Sequence, residues 1–326
     1  MRPLRIIPDD TRIGFVRARF IAFAFTGALL AATVVSLLTQ GLNLGIDFRG
    51  GILIEAVASR PLDIGAVRGK ILALDVGPSE VQRFGSDRSV MIRIPPPPGG
   101  DAATQAAVSR VKAALGPEFS YRKVEAVGPR VGGELLEAGL TATVLALLGI
   151  AAYVAFRFEW QFGVAALVAT GHDVVMAVGL YSIFQLDFDL VAIAALLTLA
   201  GYSINDTIVV FDRLRENLRK YKKTDLKVLI DRSCNETLSR TVMTSGTTLL
   251  AVLPMVFVGG PVLFAFSLAI AWGIVIGTFS SIYVASALLL YLPTLETLHD
   301  RADAGRPEAG PGAALPPSGP PPRPRS

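Results

Sequence analysis

The chain has 326 residues, of which 52% are hydrophobic, and a formal net charge of +4. Its single cysteine, Cys234, excludes an internal disulfide and a cysteine-rich metal site. The two histidines, His172 and His299, lie far apart in sequence and make no metal-ligand pattern, so we expect neither a metal nor a cofactor.

Six long apolar segments dominate the chain. Each can cross the hydrocarbon core of a membrane, which takes about 20 mostly apolar residues. The first resembles a signal peptide in position, but its apolar stretch is too long and no clear small-residue cleavage site follows, so we predict a retained anchor. The six predicted spans are residues 18–39, 134–156, 162–185, 189–212, 241–259 and 264–292.

The distribution of Lys and Arg predicts the orientation of these spans, because short cytoplasmic segments carry an excess of both. Five arginines lie within the first 19 residues, and residues 213–240 carry nine basic residues against four acids. The short turns at 186–189 and 259–262 carry no basic residue. We therefore predict that both termini are cytoplasmic, with a cytoplasmic N-terminal segment at 1–17 and a cytoplasmic loop at 213–240.

Residues 40–133 are then external and are predicted to form a small α+β domain. Alternating apolar residues predict four strands, and apolar residues at helical spacing predict two helices. Their βαββαβ order is typical of the ferredoxin-like unit, which by itself implies no chemistry. The predicted elements are strands at 51–57, 80–84, 89–94 and 120–127 and helices at 64–74 and 101–115.

An aspartate, Asp206, lies inside the fourth predicted span, with apolar sequence on both sides. A carboxyl group at that depth costs a few kcal/mol on insertion scales, so such residues usually mark an ion or proton path. The alternative is a structural hydrogen bond between packed helices. The sequence of the span leaves both interpretations open.

Several sequence blocks, by their order and spacing, resemble the SecF family, the smaller membrane subunit of the SecD–SecF complex of bacterial protein export. The resemblance covers about residues 40–295. The blocks are GIDFRGG (45–51), VGPRVG (127–132), FRFEW (156–160), His172-Asp173, GYSINDTIVVFDR (201–213), REN (215–217), RT (240–241) and TSGTT (244–248). The Pro-rich tail at 297–326, which we predict to be disordered, departs from the family pattern.

This resemblance implies a helical membrane protein of six transmembrane helices, with one external ferredoxin-like domain between the first two. It also implies membership of the resistance-nodulation-division superfamily, whose members couple proton flow to work outside the membrane. The family pattern makes Asp206 and Arg240 a proton relay. From the residues alone, Arg240 is either an interfacial anchor that snorkels or a cation that reaches the depth of Asp206.

Five further residues are candidates to support that relay. Asn205 adjoins Asp206, and Thr247 and Thr248 could hold water near it, although small hydroxyl residues in spans usually serve close packing. The adjacent His172 and Asp173 form either a titrating pair or a structural hydrogen bond between helices.

The function implied by the resemblance is a subunit of the Sec export machinery in the bacterial inner membrane, using the proton-motive force for late polypeptide translocation. Six spans are half of the twelve expected for the superfamily, so the resemblance implies SecD as partner, with the SecY, SecE and SecG channel, YajC and the translocating polypeptide. The alternatives are a proton-driven exporter of small molecules or lipids and a passive scaffold of the channel. An enzyme is not expected, a Gly-x4-Gly-Lys-Ser/Thr stretch is absent from the sequence, and nothing indicates nucleic-acid binding.

Overall fold

The structure, a computed structural model, describes Pro8 and residues 11–292; the tail at 297–326 and most of the segment before Thr11 lie outside the described residues. The helices are α1 (Arg19–Thr39), α2 (Ile46–Arg49), α3 (Ile64–Leu72), α4 (Gly100–Leu115), α5 (Pro129–Arg157), α6 (Trp160–Ile183), α7 (Leu190–Lys220), α8 (Leu226–Val258), α9 (Gly260–Ser280) and α10 (Ser286–Leu288), with a π-helical segment Ser281–Ala285 before α10. The strands are β1 (Gly51–Ala58), β2 (Glu80–Arg83), β3 (Ser89–Ile94) and β4 (Phe119–Val127).

Six of the described helices are long and apolar enough to cross a membrane, as the sequence predicts: α1 and α5 to α9, the last together with its continuation into α10. The helices α6, α7 and α9 form the centre of the bundle, since half or more of the most apolar window of each is buried. Two glycines of α9 let it approach α7 closely. A Cβ on Gly273 would lie 2.4 Å from Leu199, and one on Gly277 would lie 3.1 Å from Ser203.

The domain between α1 and α5, which is named the external domain after its predicted placement, is an antiparallel four-stranded sheet in the order β2-β3-β1-β4, and this order confirms the ferredoxin-like prediction. One face of the sheet, with Ile52, Ile54 and Ile92, packs with α3 and α4 into a core of its own. Because side chains alternate along a strand, Leu53, Glu55 and Met91 point to the opposite face. That face borders a cleft that is also lined by the ends of the membrane helices.

The connection between α1 and the sheet contains a short helix, α2, that the sequence did not predict. Phe48 of this helix packs into the cluster formed by α6, α7 and α9. Asp47 accepts a hydrogen bond from the backbone N–H of Leu190 at 3.1 Å, at the start of α7. Gly51 has φ +122°, and a Cβ there would lie 2.6 Å from the carbonyl oxygen of Ile94. The paired glycines of this segment therefore let the chain turn sharply from the bundle into β1.

The loop predicted at 213–240 is instead mostly helical, since α7 continues to Lys220 and α8 begins at Leu226. Asp225 caps α8 by accepting from the backbone N–H of Lys227 at 2.9 Å. Asn217 donates to Ser233 at 3.0 Å and to Glu236 at 2.9 Å, which ties the two helices together. Charged residues end the apolar pattern at 212 without ending the helix, which is why apolar periodicity placed the boundary too early.

Candidate intramembrane proton site

Asp206 lies in α7 with its side chain turned into the bundle, and the residue is only 2% exposed. Its carboxylate accepts hydrogen bonds from two hydroxyl groups of α8, from Thr244 at 3.4 Å and from Ser245 at 3.3 Å. Ser245 also shares a hydrogen bond with Thr278 of α9 at 2.6 Å. Hydroxyl groups both donate and accept, so this environment can bond the carboxylate and the protonated acid alike.

A second carboxylate, Asp173 of α6, is completely buried. It accepts hydrogen bonds from Ser203 of α7 and from Ser280 of α9, the latter at 2.7 Å. His172 Nδ1 lies 2.9 Å from its other oxygen, and Nε2 of the same ring is buried with no partner among the described residues. Asp173 therefore connects the three central helices by hydrogen bonds. This is the geometry expected if His172 and Asp173 serve as a structural hydrogen bond between helices.

Hydroxyl groups continue from these carboxylates toward the end of α9. Thr207 and Ser281 share a hydrogen bond at 2.8 Å between α7 and the start of the π-helical segment. Ser203, which contacts Asp173, precedes Asp206 by one helical turn on α7. Polar groups of α6, α7, α8 and α9 therefore lie close together in the bundle, and the π-helical segment beside them is a feature that often accompanies functional sites.

Arg240 does not pair with Asp206 in this structure. Its side chain is exposed, one helical turn before Thr244 on α8. Among residues 11–292, no carboxylate lies within ion-pair distance of it and no group accepts a hydrogen bond from it. The guanidinium acts on Asp206 only at longer range.

The other predicted supporting residues also lie apart from the Asp206 carboxylate. Asn205 and Thr247 are exposed, and the hydroxyls of Thr247 and Thr248 donate to carbonyls of their own helix. The structure places Thr244 and Ser245 at the carboxylate instead. For Ser245, helical spacing could have predicted this placement, because Ser245 follows Thr237 and Thr241 at four-residue intervals and all three are buried.

These features define a multi-pass helical membrane protein with carboxylates buried between its spans. The family described as "Protein export membrane protein SecD/SecF, C-terminal" matches residues 107–294, and the "SecD/SecF GG Motif" matches residues 35–61. The SecF of Cereibacter sphaeroides is 44% identical over 89% of this chain and 92% of its own length, and that of Vibrio alginolyticus is 43% identical over 88% and 92%. This chain belongs to the SecF family of protein translocase subunits.

Solved structures agree with this assignment. A crystal structure of SecDF from Thermus thermophilus has a TM-score of 0.76 and 39% sequence identity, and the match covers 87% of this chain. A structure of SecDF in a super-membrane-facing form has a TM-score of 0.65, 37% identity and 93% coverage. The chain spans about two fifths of the length of these SecDF chains, since the matches cover 39% and 41% of them.

Proposed function

We propose that this SecF subunit converts proton movement across the bacterial inner membrane into work on translocating polypeptides, with Asp206 as the proton carrier. The observation that carries the proposal is a buried carboxylate that is bonded to hydroxyl groups and, within the described part of the chain, to no cation. Burial disfavours the charged carboxylate, whereas an approaching guanidinium favours it. A movement of Arg240 by about one helical turn would switch Asp206 between these two environments.

The helix α7 supports mechanical coupling between this site and the external domain. Sixteen residues separate Leu190 from Asp206, about 24 Å at 1.5 Å per residue. At its outer end, α7 is capped by Asp189, which accepts from Ala192 at 2.9 Å, and is bonded to Asp47 of α2. Arg93 of β3 forms an ion pair with Asp187 just before this helix. A shift of α7 would therefore pass to the sheet through both contacts.

The energy available is adequate for such a shift. A membrane potential of 100 mV supplies about 2.3 kcal/mol per elementary charge. That energy changes the ratio of two conformations by roughly fifty-fold. If the external domain populates two positions equally, one proton per cycle is therefore enough to shift it almost entirely to one of them.

The partner we propose is SecD, which would supply the other half of a twelve-span unit. Arg240, Asn205 and Thr247 are exposed on the surface of a single copy although they lie in predicted spans or at their margin. A charged group facing hydrocarbon is costly, so a polar surface of a second membrane protein is the better neighbour. We further propose association with the SecY, SecE and SecG channel and with YajC, and cytoplasmic placement of both termini.

The proposal is tested by following export of a reporter protein into sealed inner-membrane vesicles, with and without a proton gradient. Asp206→Asn keeps size and hydrogen-bonding capacity but cannot titrate, so it should abolish the gradient-dependent part of export while the chain still assembles. Asp206→Glu keeps a titratable group and should retain part of it. If the Asp206→Asn variant supports full gradient-driven export, the proposal is wrong and the passive-scaffold alternative is favoured.

A further inference from the structure

A cleft of about 530 Å³ separates the open face of the external sheet from the outer ends of the membrane helices. Its size falls in the range of ligand sites, which is about 300–1,000 Å³. The sheet contributes Leu53, Glu55 and Met91, and the bundle contributes Asp189 and Phe257 among others. The cleft is separate from the Asp206 site, and it shares Asp187 and Asp189 with the contacts at the start of α7.

Glu55 is the unusual residue of this cleft. It is only 7% exposed, and among the described residues no group donates a hydrogen bond to its carboxylate. Lys123 is its neighbour on β4, but the Lys123 ammonium lies 3.0 Å from Glu125 and is engaged there. Burial raises the pKa of Glu55 above its ordinary value. Because Glu55 lines the cleft, its carboxylate can accept a hydrogen bond from a donor that enters there.

The remaining charges leave the cleft negative. It is lined by three acids, Glu55, Asp187 and Asp189, and by one base, Lys123. Arg93 engages Asp187, and the backbone N–H of Ala192 occupies one oxygen of Asp189. No group of residues 11–292 donates a hydrogen bond to the carboxylate of Glu55 or to the second oxygen of Asp189, so both can accept from a donor that enters the cleft.

Large apolar side chains line part of the cleft, next to the end of an edge strand. Phe257 is 80% exposed beside the acids, and Phe84 and Phe264 also line the cleft. Phe84 follows β2 directly, and β2 is an edge strand of the sheet. An extended peptide can form main-chain hydrogen bonds with an edge strand, whereas a lipid headgroup cannot add a strand to the sheet.

We propose that this cleft binds a short extended polypeptide segment with a Lys or Arg side chain, whose cation bonds to Glu55 while apolar neighbours pack on Phe257. The inference rests on the proposed function, since it identifies a chemical feature of the translocating polypeptide that the external domain recognises. Hydrogen bonds to a buried ionised group are among the stronger ones in proteins, so Glu55 should dominate the preference for a cation.

The test uses the full chain in nanodiscs of phosphatidylglycerol, without a proton gradient, and two fluorescent apolar peptides that differ only in a central Lys or norleucine. Fluorescence anisotropy should show that Glu55→Gln weakens binding of the Lys peptide about tenfold and leaves the norleucine peptide unchanged. Glu118→Gln is the matched control, because Glu118 is an exposed acid at the far end of the same sheet. It should change neither affinity.

Glu55→Gln should not lower the thermal unfolding temperature, because no described hydrogen bond is lost. A second variant, Phe257→Ala, changes an exposed wall and should weaken both peptides. Equal binding of the two peptides by the unmodified chain, or unchanged binding after either substitution, would overturn the proposal. So would displacement of the Lys peptide by added phosphatidylethanolamine in a Glu55-dependent manner, which would assign the cleft to a lipid amine. None of these outcomes bears on gradient-driven export, which is measured separately.

Discussion

The carboxylate of Asp206 is held by neutral hydroxyl groups, and the cation that the family pattern assigns to it lies one helical turn away. Such an arrangement suits a group that must change its charge. A permanent ion pair in the same place would fix the carboxylate in its charged form and strongly resist protonation. Under the proposed function, this structure corresponds to the state in which Asp206 would hold a proton.

Removing one hydroxyl donor should impair the carrier without removing its titratable group. Thr244→Val keeps the shape of the side chain but loses the hydrogen bond to Asp206, so gradient-driven export should fall about two- to tenfold. Thr247→Val is the matched control, because the Thr247 hydroxyl donates only to carbonyls of its own helix. Export in vesicles measures both variants. Equal effects of the two substitutions would contradict a specific role for Thr244.

The sequence was sufficient to single out Asp206, because a lone carboxyl group in an apolar span is costly wherever it points. The sequence was not sufficient to predict which side chains form hydrogen bonds with Asp206. The segment 241–248 contains five hydroxyl residues, and only the rotation of α8 against α7 decides that Thr244 and Ser245 reach the carboxylate. The hydrogen bonds of Asp173 likewise depend on residues 30 and 107 positions away along the chain.

At the scale of elements, the segment between α1 and β1 determines how the external domain sits on the bundle. Its helix α2 packs against the first turn of α5, where a Cβ on Gly132 would lie 2.8 Å from the carbonyl oxygen of Phe48. The neighbouring Gly133 has open space beside it. The two adjacent glycines therefore differ in function although they share a helix.

Gly132→Ala should push α2 away from α5, whereas Gly133→Ala should be neutral or slightly stabilising because alanine is the better helix former. We expect Gly132→Ala to increase amide hydrogen exchange in residues 45–51 and to reduce gradient-driven export. If both variants match the unmodified chain in amide hydrogen exchange and in export, the contact between α2 and α5 is unimportant.

The long helices and the sheet were predictable because apolar periodicity defines them. The helix α2 was not, since four residues are too few to show a period, and it is specified by contacts with α5 and α7. The extension of α7 to Lys220 was also missed, because its last turns bury only a narrow face, with Phe211 and Leu214, among many charged residues.

At the scale of the whole molecule, the proposed orientation depends on the basic residues of the α7–α8 connection. Single cysteines test it directly, since the native Cys234 is buried. A membrane-impermeant thiol reagent added outside should label Ser86→Cys, in the exposed β2–β3 turn, and spare Lys222→Cys, in the turn between α7 and α8. The opposite labelling pattern would reverse the proposed topology.

The central claim is that Asp206 carries protons, and proton flux measures it most directly. The chain should be reconstituted with a SecD partner in liposomes that contain a pH-sensitive dye, and an imposed gradient should then be followed over time. We predict that Asp206→Asn abolishes the protein-dependent acidification and that Asn205→Ala, at the adjacent exposed position, leaves most of it. Undiminished flux through Asp206→Asn would contradict the account.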